Sequence, residues 1–180
     1  MANVNDPNGF VPAYHMAGGV IRPSEFPIQS GATGDIFAGD VVKLASGYVL
    51  QGGATDAPLG VFGGCEYQNS SGEVIFTRRF VSGTASLGSA NIKAYVYADP
   101  NIVYEAQFTG TPSQTDVGKV HTISTTAGDS NNNRSKEGVT TTTASGIAKL
   151  VAYVDRPDNS ANAQYARGYF IFPASTYGND

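Results

Sequence analysis

"KAYVYADPNIVYEAQFTG", residues 93–110, places two runs of alternating apolar residues on either side of a tight "ADPN". In an extended chain, successive side chains point to opposite faces. Lys93, Tyr95 and Tyr97 therefore share one face, and Ala94, Val96 and Ala98 the other. Beyond the break, Ile102, Tyr104, Ala106 and Phe108 oppose Val103, Glu105 and Gln107. Asp99 can cap a turn, Pro100 presets φ, and Asn101 tolerates a left-handed backbone. The stretch reads as a hairpin, or as a sharp corner where the chain passes between sheets.

The same vocabulary runs outward in both directions. The 180 residues include 22 glycines and 9 prolines, with frequent Thr, Ser, Val and Tyr. Such a text writes short strands and tight turns. "VVKL", "YVLQ", "EVIFTRRFVS", a segment near Val117 to Ser124, and "GYFIFPAS" all read as strands. "SANAQYARG", residues 160–168, is the best helix candidate, and it is short and weakly patterned. The fold class is all-β and mostly antiparallel, a compact β-barrel, β-sandwich or β-tulip-like domain with an extended N-terminal arm.

Residues 1–34 form that arm. Pro7, Pro12, Pro23 and Pro27 each remove a backbone donor and bias the preceding residue away from helix. Phe10, Val11, Tyr14, Val20, Ile21, Phe26 and Ile28 give it more large apolar groups than a free tail needs. It packs either on its own domain or on something else, and the residues alone leave both open. Residues 35–180 read as one β-rich domain, with 109–146 as a candidate insertion.

Composition narrows the function. Hydrophobic residues make up 41% and charged residues 14%, against about 25% charged in average chains. A surface this neutral is often covered by neighbouring subunits, and a secreted β-protein could look the same. The net charge is −4 with no basic block, which argues against nucleic acid, because phosphate neutralisation needs several cations. No apolar run approaches the length of a membrane span. The N-terminus lacks the basic and apolar regions of a signal peptide, and the single Cys65 excludes an internal disulfide. Folding in a cytoplasm is the expectation.

Chemistry is sparse. Asp129, Asn131 and Asn133 imitate the start of a calcium loop, but Arg134 stands where glycine is needed and Thr140 where the bidentate Glu belongs. "GTPSQTDVGKV" is too long for a P-loop, and Val120 replaces its Ser/Thr. His15, His121 and Cys65 show no metal-ligand spacing. They supply the raw ingredients of a Cys–His nucleophile without its signature. Arg78 and Arg79 are adjacent on a strand and so face opposite ways, one solvated and one ion-paired. Ten tyrosines without tryptophan suit packing or subunit contact better than a sugar platform, with Tyr95, Tyr97 and Tyr104 the candidates for subunit contact. No catalytic residue, metal site, cofactor or small-molecule substrate is expected, and the chain reads as a non-enzyme.

The order of segments resembles the decoration, or cement, proteins of tailed-bacteriophage heads. The resemblance is carried by the Pro-rich apolar arm, "GDIFAGDVVKL", "GYVLQGG", "APLGVFGG", "AYVYADPNIVYEAQFTG", "DVGKV", and "GIAKLVAYVDRPDN" with "GYFIFP". It implies a β-rich, enzymatically inert virion protein on the outer capsid surface. Its partners would be the major capsid protein and itself, as a homotrimer. It also implies an arm that adds a strand to the capsid protein beneath. Phe10, Val11, Tyr14, Ile21 and Phe26 would then be capsid anchors, with Arg22 opposite a capsid carboxylate. Another virion component, such as a head-fibre base or tail protein, and a carbohydrate-binding β-module stand as alternatives.

Overall fold

The computed structural model describes residues 3–177. Among them the chain is built from strands and turns, with no α-helix. In chain order the strands are β1 (Val11–His15), β2 (Ser24–Ile28), β3 (Ile36–Phe37), β4 (Val41–Ala45), β5 (Tyr48–Gln51) and β6 (Gly60–Gln68). They continue with β7 (Val74–Thr77), β8 (Arg79–Phe80), β9 (Ile92–Tyr97), β10 (Ile102–Gln107) and β11 (Val120–His121). The last four are β12 (Ile123–Ser124), β13 (Gly138–Val139), β14 (Ala148–Tyr153) and β15 (Arg167–Ile171).

Two sheets dominate. A five-stranded sheet runs β1-β10-β15-β14-β11, and a six-stranded sheet runs β2-β9-β6-β4-β5 with β7 on the far half of β6. Every named strand pair is antiparallel. The six-stranded sheet curls until β2 and β5 lie side by side, but no ladder closes it. The architecture is thus an all-β pair of open sheets. Short ladders β3-β8 and β12-β13 complete it.

"ADPN" is the corner between these sheets. β9 ends at Tyr97 in the six-stranded sheet and β10 begins at Ile102 in the five-stranded one. Asp99 Oδ1 accepts from the Asn101 amide at 2.8 Å, and Asp99 Oδ2 pairs with His15 Nε2 at 3.0 Å. His15 Nδ1 accepts the amides of Ala17 and Gly19, so the ring proton sits on Nε2 and faces the carboxylate. At the same crossing, Gly60 leaves no room for a side chain, since a Cβ there would run into the Tyr97 carbonyl. The "SG" between β4 and β5 turns as its residues suggest, with Ser46 at φ 51° and Gly47 at φ 83°.

The core has two parts. One lies under the five-stranded sheet and includes Phe10, Val41, Val61, Tyr104, Phe108 and Phe170. The other lies inside the curl of the six-stranded sheet and includes Ile28, Val42, Phe62, Cys65, Phe80 and Val96. Val41 and Val42, and likewise Val61 and Phe62, feed opposite cores because neighbours on a strand face opposite ways.

The arm belongs to both sheets. β1 is an edge strand on β10, pairing Val11 with Glu105, and β2 is an edge strand on β9, pairing Phe26 with Ala94. Phe10 is 1% exposed, and its amide donates to the Gly39 carbonyl at 2.9 Å. Gly9, at φ 66°, lies so close to Gly39 and Ser135 that a Cβ would collide with both. Further out, Gln107 donates to the Val4 carbonyl, and Asn3 donates to the Ser160 carbonyl. The stretch 109–146 is equally woven in, since it supplies Ile123 and Val139 to the first core. Residues 160–165 are turns rather than a helix, leading directly into β15. Asn159 explains this, because its side chain ties the Val154 and Arg167 carbonyls and the Arg167 amide across the bend.

Candidate interaction surface

The residues of the expected arm contact divide by depth. Phe10 is interior and does not stand out as a surface anchor; its ring meets Phe172 at 5.3 Å and Phe170 at 6.3 Å. Ile21 and Phe26 are half-buried against the first and second cores. Arg22 is exposed. Val11 is 47% exposed and Tyr14 44%, and the turn after β1 adds Met16 and Val20 to the outside. Tyr14 stands on Tyr169 at 5.5 Å, in a T-shaped contact that braces the ring against its own sheet.

The three tyrosines also divide. Tyr104 is buried at 2% exposure and belongs to the core, so it is no subunit contact. The β10 pattern put it on the same face as Ile102, Ala106 and Phe108, and that face packs into the first core, with Phe172 at 5.2 Å from the Tyr104 ring. Tyr97 is half-buried against the first core. Tyr95 is half-buried, donates to Glu66 Oε2 at 3.0 Å and lies 5.6 Å from Phe76. Glu66 in turn holds the Tyr95 hydroxyl proton in place, raising its pKa. Tyr95, Tyr97 and Tyr104 therefore make no common exposed platform. What the tyrosine pattern missed is β7, where Val74 and Phe76 point outward at 62% and 63% exposure. Their i, i+2 spacing in "EVIF" is the signal that was there to find.

The chemical ingredients stay apart. Cys65 is buried in the second core with its thiol pushed up to about 12 by burial, so it is no ready nucleophile. His121 is buried beside Phe108, with Nε2 3.5 Å from the Asp116 carbonyl. No hydrogen bond joins it to Cys65 among the described residues. Asp129 and Arg134 close a tight ladder, with the Asn131 amide on Asp129 Oδ1 at 2.9 Å, so the calcium-like spacing builds a turn. No group of three or more His, Cys, Asp or Glu that could hold a metal occurs among the described residues. Among the described residues no helix is long and apolar enough to cross a membrane.

Sequence spacing gave no hint of one buried acid pair. Asp40 and Glu137 are both 0% exposed, where β4 joins the segment before β13. Asp40 Oδ2 accepts the Phe37 amide at 2.8 Å, and Glu137 Oε2 accepts the Val41 amide at 2.8 Å. Asp40 Oδ1 and Glu137 Oε1 have no partner among the described residues. Burial pushes the Asp40 carboxyl up to about 6, against the opposing pull of the Phe37 amide and the Ser135 hydroxyl. Burial and then the charge of Asp40 raise Glu137 well above the carboxylate range. A pair so enclosed is a structural joint between the two cores.

Comparison of the chain with family models, with curated proteins and with solved structures gave no significant match.

Proposed function

We propose that this chain is a structural docking module, a decoration protein on the head of a tailed bacteriophage that ties adjacent capsomers together. The observation that carries the reading is the pair of apolar edges. Val11, Tyr14 and Met16 stand out along β1 and its turn, and Val74 and Phe76 along β7, on strands of different sheets. Monomeric proteins rarely leave such residues in groups without a partner. The resemblance in segment order supports the same reading, as does a chain with only 14% charged residues.

The fold changes the manner of docking. β1 and β2 already hydrogen-bond to β10 and β9 on one side. Pro12 and Pro27 each deprive an outer edge of a donor, and β1 bulges between Pro12 and Tyr14, all devices that blunt strand addition. Contact through side chains is therefore the proposed mode, with the β1 edge on the major capsid protein and the β7 edge on a sister subunit. Many weak contacts over a lattice add by avidity.

The test mixes purified protein with expanded heads of the phage that encodes it, stripped of the protein. The wild type is expected to bind, and Val11→Ser/Tyr14→Ser/Met16→Ser to bind at least tenfold more weakly with its fold intact. Equal binding of the two would overturn the assignment of the β1 edge. Failure of the wild type to bind would overturn the capsid reading.

A further inference from the structure

Arg78 and Arg134 flank a single alanine. Ala38 donates its amide to the Arg78 carbonyl at 2.8 Å and bridges Arg134 on its other side. The β3-β8 register, Ile36 with Phe80 and Phe37 with Arg79, makes Ala38 and Arg78 the next pair. Residues paired across a ladder share a face, and two strand spacings separate the outer members by roughly 9.5 Å. Arg78, Ala38 and Arg134 therefore form a row with a small residue in the middle. All three border a groove of about 590 Å³ that runs between the sheets, over Phe10 and Val61 and beside β1.

Three other arginines are held by carboxylates. Arg79 points away from the groove, pairs with Asp35 at 2.6 Å and lies over Phe37. Arg156 and Arg167 are both held by Glu105. Neither Arg78 nor Arg134 has a carboxylate within ion-pair distance among the described residues, and no Asp or Glu lines the groove. Asp129, the ladder partner of Arg134, pairs with Lys136 instead. In a chain with 15 acidic and 11 basic residues, an acid-free groove with two unpaired guanidinium groups is a local excess of positive charge.

The backbone adds a second observation. β6 bulges between Phe62 and Gly64, so Gly63 drops out of the ladder with β9. Gly63 lines the same groove. Gly63 is half-buried there and carries no side chain to narrow the groove.

We infer that this groove binds an extended acidic segment of a partner polypeptide, with Arg78 and Arg134 on its carboxylates and Gly63 along its backbone. Arginine matches carboxylate bidentately. Nucleic acid fits less well, because two cations neutralise few phosphates and the net charge of −4 repels a polyanion. The inference concerns the occupant's chemistry and does not depend on the capsid reading, which the test leaves aside.

The test follows fluorescence anisotropy of the full chain with a labelled peptide, Gly-Glu-Val-Glu-Gly. Its glutamine analogue and a labelled hexamer of deoxythymidine serve as the other arms. The acidic peptide is expected to bind best and to lose affinity with added salt. Arg78→Ala/Arg134→Ala is expected to bind it about tenfold more weakly or worse, since two charge-assisted contacts are removed. Arg78→Lys/Arg134→Lys should keep part of the affinity, and Arg22→Ala all of it. Four results would each overturn the inference: no binding of the acidic peptide at millimolar concentration, equal binding of the glutamine peptide, undiminished binding by the double alanine variant, or tighter binding of the oligonucleotide.

Discussion

The Tyr104 hydroxyl donates to the Tyr97 carbonyl at 2.8 Å, across the corner that joins the two sheets. Tyr97 is the last residue of β9, and Tyr104 stands in the middle of β10. The bond therefore fixes the angle at which one sheet hands the chain to the other. Tyr104→Phe keeps the ring and strands a buried carbonyl. A loss of about 1–2 kcal/mol is expected, measured by urea unfolding. An unchanged midpoint would mean that the corner is held by Asp99 and packing alone.

Inside and outside of the arm should respond differently to truncation. Phe10→Ala opens a cavity beneath Phe170 and Phe172 and is expected to cost about 3–5 kcal/mol. Val11→Ser, one residue on but facing out, should cost under about 0.5 kcal/mol. For the same reason, removal of residues 2–28 should unfold the domain, since two edge strands leave with it. A well-dispersed amide NMR spectrum from the truncated chain would contradict this.

The acid joint sets a pH dependence. Asp40 and Glu137 bind protons more tightly in the folded chain than in the unfolded one. Their contribution is thus fully present below the ordinary carboxylate range and is lost as pH rises through about 6 and onward with Glu137. Asp40→Asn keeps an acceptor for the Phe37 amide and removes one buried charge. It should raise stability at pH 8 by up to ~3 kcal/mol, and by much less at pH 4. Urea unfolding at pH 4, 6 and 8 reads the difference, and an equal change at all three, or a loss at pH 8, would contradict the account.

The corner also depends on Asp99. Asp99→Ala removes the acceptor of the Asn101 amide and the partner of His15 together. About 1 kcal/mol is the expected cost. Faster amide exchange in both the corner and the turn after β1 should accompany it, because His15 links the two. Faster exchange at the corner alone would separate them.

The local rules of the sequence were enough for some of this. The alternation around "ADPN" places Ala94, Val96 and Ala98 inside, and the "SG" turn and the opposed pair Arg78 and Arg79 follow from their residue types. What stayed hidden depends on partners distant in sequence. Pro12 and Pro27 disguise β1 and β2 as irregular chain, although proline is tolerated on edge strands. Their ladders run to residues near 105 and 94. Nothing near Asp40 announces Glu137, which reaches it only when the segment 135–139 folds back over β4. Tyr104 stood as a candidate for subunit contact because what covers its face, Phe172 and the rest of the first core, is distant in sequence.

The proposed docking on a phage head through the β1 edge is open to electron microscopy. A difference map between heads with and without the protein is predicted to show density repeated over the outer lattice, with Val11 and Tyr14 turned toward the capsid. Density confined to the tail or to a single vertex, or a β1 edge facing solvent, would contradict it.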